Sequence, residues 1–282
     1  MKKSLLFLFL LLFVCNSNAQ AIYTQKDVDV CNSKFNFAVD QKLSSLPINQ
    51  VIIEIGKSFL GTDYVANTLE VGDEEKLVIN LTGLDCYIFL ETSLVFARCI
   101  KKGNTTFEDY QKELTNIRYR DGKLKEYPSR LHYFSDWIYD MDDRDIGKDI
   151  TKELGGKRYV KKINFMSTHV DSYKQLKENP KFVKEISNIE RQISTRKYFF
   201  IPQEEIASIE GKIQSGDIIG ITTNVEGLDI AHTGIAIRMD DGRIHFMHAP
   251  NVGYKVQITE KPLADYIKGN KKQTGIMVLR PN

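Results

Sequence analysis

Asp85-Cys86, at the head of the apolar run Cys86-Tyr-Ile-Phe-Leu-Glu-Thr-Ser-Leu-Val-Phe-Ala97, is where chemistry could start in this chain. Asp85 is a natural helix N-cap, which makes Cys86 the first residue of a helix. There, unpaired backbone N–H groups and the helix dipole favour a thiolate over a thiol. The same N–H groups can donate to the oxyanion of a tetrahedral intermediate. A lone cysteine in an apolar run is more commonly one more buried side chain, so a nucleophilic Cys86 requires a base close to it in space.

His232 is the candidate base, because it opens the β-like segment His232-Thr-Gly-Ile-Ala-Ile-Arg238, in which Gly234 lets a neighbouring backbone or substrate come close. Taken alone, a histidine in that place is more often a satisfied surface residue. Further on, strand alternation puts His245 and Met247 on one face and Phe246 and His248 on the other. One of these two histidines can therefore orient His232 as the third member of a triad does. His248 is the choice, with Ala249 beside it leaving room, and His245 is the fallback. Cysteine, base and orienting residue together imply acyl transfer. His232, His245, His248 and Asp229 could also be imagined around zinc. The alternating faces oppose that convergence and no His-x-x-x-His pair occurs, so neither a metal nor another cofactor is expected.

The elements that must position these residues follow from periodicity. Residues 20–45 suggest a lead-in helix, and Ile48, Val51, Ile52, Ile55 and Phe59 recur at helical spacing. Lys76–Leu81 reads as a β-branched strand. The run after Asp85 is apolar nearly all round, as in a buried helix. Residues of about 105–198 look helical and loop-like, with helical stretches at 107–114, 129–138 and 182–195, and form an elaboration that frames a cleft. Beyond it lie short strands at 217–222, 232–238, 243–248, 254–258 and 275–279, with Asp240-Asp241-Gly242 as a hairpin turn between the second and third. Helices first and an antiparallel sheet after give an α+β fold.

Lys2-Lys3 followed by the apolar stretch Leu5–Val14 reads as a signal peptide, too short for the roughly 20 residues of a spanning helix. Ser17-Asn18-Ala19 supplies small residues for cleavage after Ala19, so an exported, periplasmic protein is expected; lipidation at Cys15 is the alternative, with Val14 a poor fit before it. Lys2 and Lys3 account for the whole formal charge of +2, so the remaining chain is neutral and no nucleic-acid partner is indicated. Without Cys15 the cysteines are Cys31, Cys86 and Cys99. Cys31 and Cys99 could pair in an oxidising compartment or remain two buried thiols; either way Cys86 stays free. With no linker and no repeat, the expected organisation is a signal peptide at 1–19, a lead-in at 20–47 and one domain at 48–282.

Taken together, Tyr64-Val65, Asp85-Cys86, Ser215-Gly-Asp-Ile218, His232-Thr-Gly-Ile-Ala236 and His248-Ala249 resemble the NlpC-type cysteine amidases and peptidases of bacterial peptidoglycan, which share a papain-like core. Within that superfamily the chain is similar to the N-acetylmuramoyl-L-alanine amidase-like family. Phe59-Leu-Gly-Thr-Asp-Tyr-Val-Ala66, Leu69-Glu70, Leu84-Asp-Cys86 with Glu91-Thr92, Leu131-His-Tyr-Phe-Ser-Asp-Trp-Ile138, Asn164-Phe-Met-Ser-Thr-His169 and Leu279-Arg-Pro281 look like that family's motif blocks, in one order over about 48–282. The resemblance implies a papain-like core whose buried helix carries the nucleophile at its start. It also implies cleavage of the amide between N-acetylmuramic acid and L-alanine, with Cys86 attacking, His232 acting as base and then acid, and His248 orienting it. Tyr64, Asp85, His132, Trp137 and His169 are the implied substrate-binding residues, and muropeptides the partner. Plain structural use is the simpler expectation for His132 and His169 on composition alone.

Two other functions remain open at this stage. A stem-peptide endopeptidase of the same superfamily, cutting D-glutamyl to diamino acid, would use the same three residues in a differently shaped cleft. A non-catalytic envelope-binding module would not need them together.

Overall fold

The computed structural model describes residues 21–282; the expected signal peptide and Cys15 lie outside the described residues. α1 (Gln25–Asp40) starts from a capping box in which Thr24 and Asp27 each accept the other's backbone N–H. α2 (Ile48–Ser58) buries Val51, Ile52 and Ile55, as its spacing predicts. α3 (Cys86–Lys102) begins at Asp85, whose carboxylate accepts the Ile88 N–H at 2.8 Å, and stops at Gly103 in the left-handed region. Every residue from Ile88 to Ala97 is buried. The helix is therefore core, and its first residue lies where core meets solvent.

α4 (Phe107–Arg118), α5 (Phe134–Asp143), the short α6 (Phe165–Thr168) and α7 (Lys174–Glu178), and α8 (Pro180–Thr195) follow. The strands are β1 (Gly147–Asp149), β2 (Lys157–Tyr159), β3 (Tyr198–Pro202), β4 (Ile218–Thr223), β5 (Ile230–Arg238), β6 (Ile244–His248), β7 (Gln257–Ile258) and β8 (Gln273–Pro281). They pair antiparallel in the order β2-β3-β8-β4-β5-β6-β7, with β1 also on β8. Residues alternating along the strands feed two cores. Ile218, Ile235, Met247 and Met277 join the cluster that includes α3. Ile219, Ile221, Ala236 and Phe246 join a second one with Ile206 of α9 (Ile206–Ile209) and Leu263 and Ile267 of α10 (Leu263–Lys268). The layout is α+β, helices packed on an antiparallel sheet.

Several local expectations are corrected. Lys76–Leu81 is extended but joins no sheet: it makes one bridge, Val78 to Ile22. Side chains meet two of its other backbone groups: the Arg118 guanidinium donates to the Val78 carbonyl at 2.6 Å and the Leu81 N–H donates to Asp27 at 2.8 Å. Arg118 in turn holds Glu91 of α3 through two bonds of 2.8 and 2.9 Å. The helix expected over 129–138 starts only at Phe134, and the strand expected over 254–258 shrinks to Gln257–Ile258. The stretch 105–198 also holds β1 and β2, three residues each, too short for a periodicity signal. The Asp240-Asp241-Gly242 turn is present: Met239 and Arg243 pair across it and Gly242 has φ +77°. Among the described residues no helix is long and apolar enough to cross a membrane.

Candidate active site

The start of α3 and the start of β5 are stitched together. The Thr233 hydroxyl donates to the Cys86 carbonyl at 3.1 Å, and the Tyr87 phenol donates to the Leu131 carbonyl at 3.2 Å. Cys86, Tyr87, His232 and Thr233 thereby open on one cavity of about 250 Å³, whose walls include Arg130, His132 and Asp229. The register of β4 on β5 shifts between Ile221 and Thr222, so that His232 faces Ile221 and Ile230 faces Thr222. This bulge leaves Ala231 as the extra residue, a common way to re-aim a side chain at the end of a strand.

His248 comes to His232 by register. Ile235 pairs with Met247, which sets Gly234 opposite His248 and His232 on the diagonal. A Cβ on Gly234 would sit 2.6 Å from the Met247 carbonyl oxygen and 2.7 Å from the Phe246 ring, so a side chain there would close the approach. His232 Nε2 lies 2.6 Å from His248 Nδ1. His245 points to the opposite side, with Nδ1 2.7 Å from the Thr259 carbonyl and Nε2 3.0 Å from Asp241. The histidines do not converge on a metal position, and among the described residues no group of three or more His, Cys, Asp or Glu is arranged to hold an ion.

Burial governs the electrostatics. Desolvation, followed by the Asp85 charge, pushes the Cys86 thiol up to about 11, against the Thr233 amide and hydroxyl and the Tyr87 amide, which favour the thiolate. Burial lowers His232 to about 4, and burial with His232 beside it lowers His248 to about 3. At neutral pH the resting site thus holds a thiol and two neutral imidazoles.

The five implied substrate contacts separate. His132 lines the cavity, its Nε2 2.9 Å from the Tyr127 carbonyl and its ring against that tyrosine. Tyr64 lies beside the cysteine: burial, then the Cys86 and Asp85 charges, raise its phenol above the usual range. Asp85 does not line the cavity, because its carboxylate is engaged as the helix cap. Trp137 is corrected outright: it has no exposed surface, and its indole N–H donates to the Ile117 carbonyl at 3.1 Å. His169 is likewise displaced, exposed and stacked on Phe165 away from the cavity walls. Cys31 and Cys99 are both free and buried, the second of the two arrangements expected.

Sequence reasoning missed Arg130 and Thr233, and weighed Asp229 only in a metal set that it set aside. Arg130 is nearly buried, donates to Glu70 at 2.9 Å and adjoins Glu75 at 3.4 Å. Asp229 accepts the Ser135 and Ile230 N–H groups, each at 2.7 Å, which fixes the loop entering β5. Position was the available signal: Arg130 precedes Leu131-His132, and Asp229 and Thr233 flank the His232 strand start.

Helices packed on an antiparallel sheet in this arrangement are the fold of solved amidase-like proteins. Residues 54–276 match the family described as N-acetylmuramoyl-L-alanine amidase-like, and the chain belongs to that family. The structure of an N-acetylmuramoyl-L-alanine amidase from Bacteroides uniformis ATCC 8492 is 36% identical, with a TM-score of 0.80 over 83% of this chain and 99% of that one. A Bacteroides fragilis protein whose name gives it as a candidate xylanase is 38% identical, with a TM-score of 0.76 over 80% of this chain and 98% of its own. A Legionella pneumophila protein, 21% identical with a TM-score of 0.69 over 91% and 95%, shares the fold. No curated protein matches.

Proposed function

We propose that this protein is a cysteine amidase that hydrolyses the bond between N-acetylmuramic acid and L-alanine in peptidoglycan fragments. The observation that carries this reading is the opening of Cys86 and His232 on one cavity, with His232 Nε2 held 2.6 Å from His248, in a chain of this family. His232 uses Nε2 toward His248, which leaves Nδ1 for the thiol proton. The Cys86 sulfur attacks the lactyl carbonyl carbon as His232 takes that proton. Backbone N–H groups at the start of α3 face the developing oxyanion. His232 then protonates the departing L-alanine nitrogen, the C–N bond breaks, and water hydrolyses the thioester with His232 again as base. The raised thiol and lowered imidazole favour proton transfer during attack over a standing thiolate-imidazolium pair.

A glycosidase is disfavoured by the same cavity. Glycoside hydrolysis uses two flanking carboxylates, and of the wall residues Asp229 alone is acidic, with both oxygens taken by backbone N–H groups. We further propose that the protein acts after export, with the leader removed following Ala19. Mass spectrometry of products from defined muropeptides tests the reaction: free stem peptide beginning at L-alanine, together with intact sugar, is expected. A shortened muropeptide that keeps L-alanine on the sugar would make the enzyme an endopeptidase, and no product at all would favour a binding module.

A further inference from the structure

His248 has no solvent-exposed surface, and only one of its ring nitrogens is accounted for. Nδ1 meets His232, whereas Nε2 has no hydrogen-bond partner among the described residues. Such a group calls for an explanation. The neighbours of this ring are aromatic. Phe246 lies at 4.8 Å between centroids, tilted by 40°, and Tyr266 of α10 lies at 5.3 Å, nearly perpendicular at 81°.

Two neutral imidazoles that share one proton between them have two arrangements. With the proton on His248 Nδ1, His248 Nε2 is a bare lone pair beside aromatic rings that offer it no hydrogen bond, and His232 must hold its own proton on Nδ1. With the proton on His232 Nε2, His248 carries Nε2–H, which an aromatic face can accept, and His232 Nδ1 keeps the lone pair a base needs. We infer that Tyr266 is a positioning residue: its ring holds His248 in the Nε2–H tautomer and, through His248, keeps His232 ready to accept a proton from Cys86. The last link rests on the amidase reading; the tautomer of His248 does not.

Nitrogen-15 NMR of histidine-labelled protein near pH 7, with His248 assigned by the loss of its signals in H248Q, tests the tautomer directly. Protonated Nε2 and unprotonated Nδ1 are expected. Y266F keeps the ring and should retain the tautomer and kcat to within about twofold, whereas Y266L should populate Nδ1–H and lower kcat about fivefold at little cost in KM. Nδ1–H in the unaltered protein overturns the inference, as does Y266L with unchanged tautomer and kcat. A Y266F variant as impaired as Y266L also overturns it, by moving the role to the hydroxyl. If Y266L fails to fold, Y266M, which removes the ring but keeps a long apolar side chain, replaces it with the same expected and overturning results. Protein that shows Nε2–H yet hydrolyses no muropeptide supports the tautomer assignment while refuting the amidase reading.

Discussion

The β5–β6 hairpin carries histidines at both ends, and the two ends treat them in opposite ways. At the open end His232 and His248 are desolvated, have each other as partners and are held neutral well below the ordinary range. At the turn end burial also disfavours charge on His245, but its hydrogen bonds to Asp241 and the Thr259 carbonyl outweigh that, and its pKa is raised. The residue type is the same, and the strands are the same. A carboxylate at the solvent edge shifts the balance toward the cation, whereas a desolvated aromatic and apolar setting shifts it toward the neutral imidazole.

The largest effect that would separate the two ends is on turnover. Replacing Cys86 or His232 by alanine should cut hydrolysis at least about 10³-fold, while H245A should stay within about threefold, measured as kcat/KM on a muropeptide. Comparable losses in H245A and H232A would erase the distinction. Next in size, H248A should cost about 10²-fold, chiefly in kcat, because His232 loses its orienting partner but keeps its nitrogen.

The resting protonation state gives a third contrast. With the thiol pushed up to about 11 and His232 down at about 4, alkylation of Cys86 by iodoacetamide should be slow at pH 7 and climb steadily toward pH 11. A rate already flat from pH 6 upward would mean a standing ion pair instead.

The smallest effect is on stability, and its sign differs between the two ends. His232 and His248 have folded pKa values below the unfolded value of about 6.5, so the unfolded chain binds protons first. The stability they contribute is complete above that value and is lost as pH falls toward about 4 and 3. For His245 the folded pKa is raised, so its contribution is present below the unfolded value and disappears as pH rises through the folded one. Melting curves from pH 4 to pH 8 should show H248Q flattening the acid side of the stability profile and H245Q the neutral side. The same slope change in both variants would contradict the assigned environments.

How much of this was legible depended on how local each cause is. Asp85 as a cap, α3 as a buried helix, the Asp240-Asp241-Gly242 turn and the face shared by Phe246 and His248 rest on neighbours within a few residues, and the sequence carries them. Lys76–Leu81 misled because its β-branched composition suits an extended chain, while the partners that occupy its polar groups, Asp27 and Arg118, come from distant helices. Trp137 and His169 sit in motif blocks that match the family, but matching a block does not say which way a side chain turns. One faces the core and the other solvent.

By itself, then, the sequence determined the family, the broad layout of helices followed by an antiparallel sheet, and the short list of groups able to do chemistry, because capping, periodicity and turn chemistry act over a few bonds. Only the tertiary structure decided that His248 rather than His245 meets His232, that a bulge at Ala231 turns His232 into the cavity, and that Arg130 and Asp229 help wall it. Those outcomes depend on strand register and on which surfaces are desolvated together. Both are settled by packing between residues far apart in the chain.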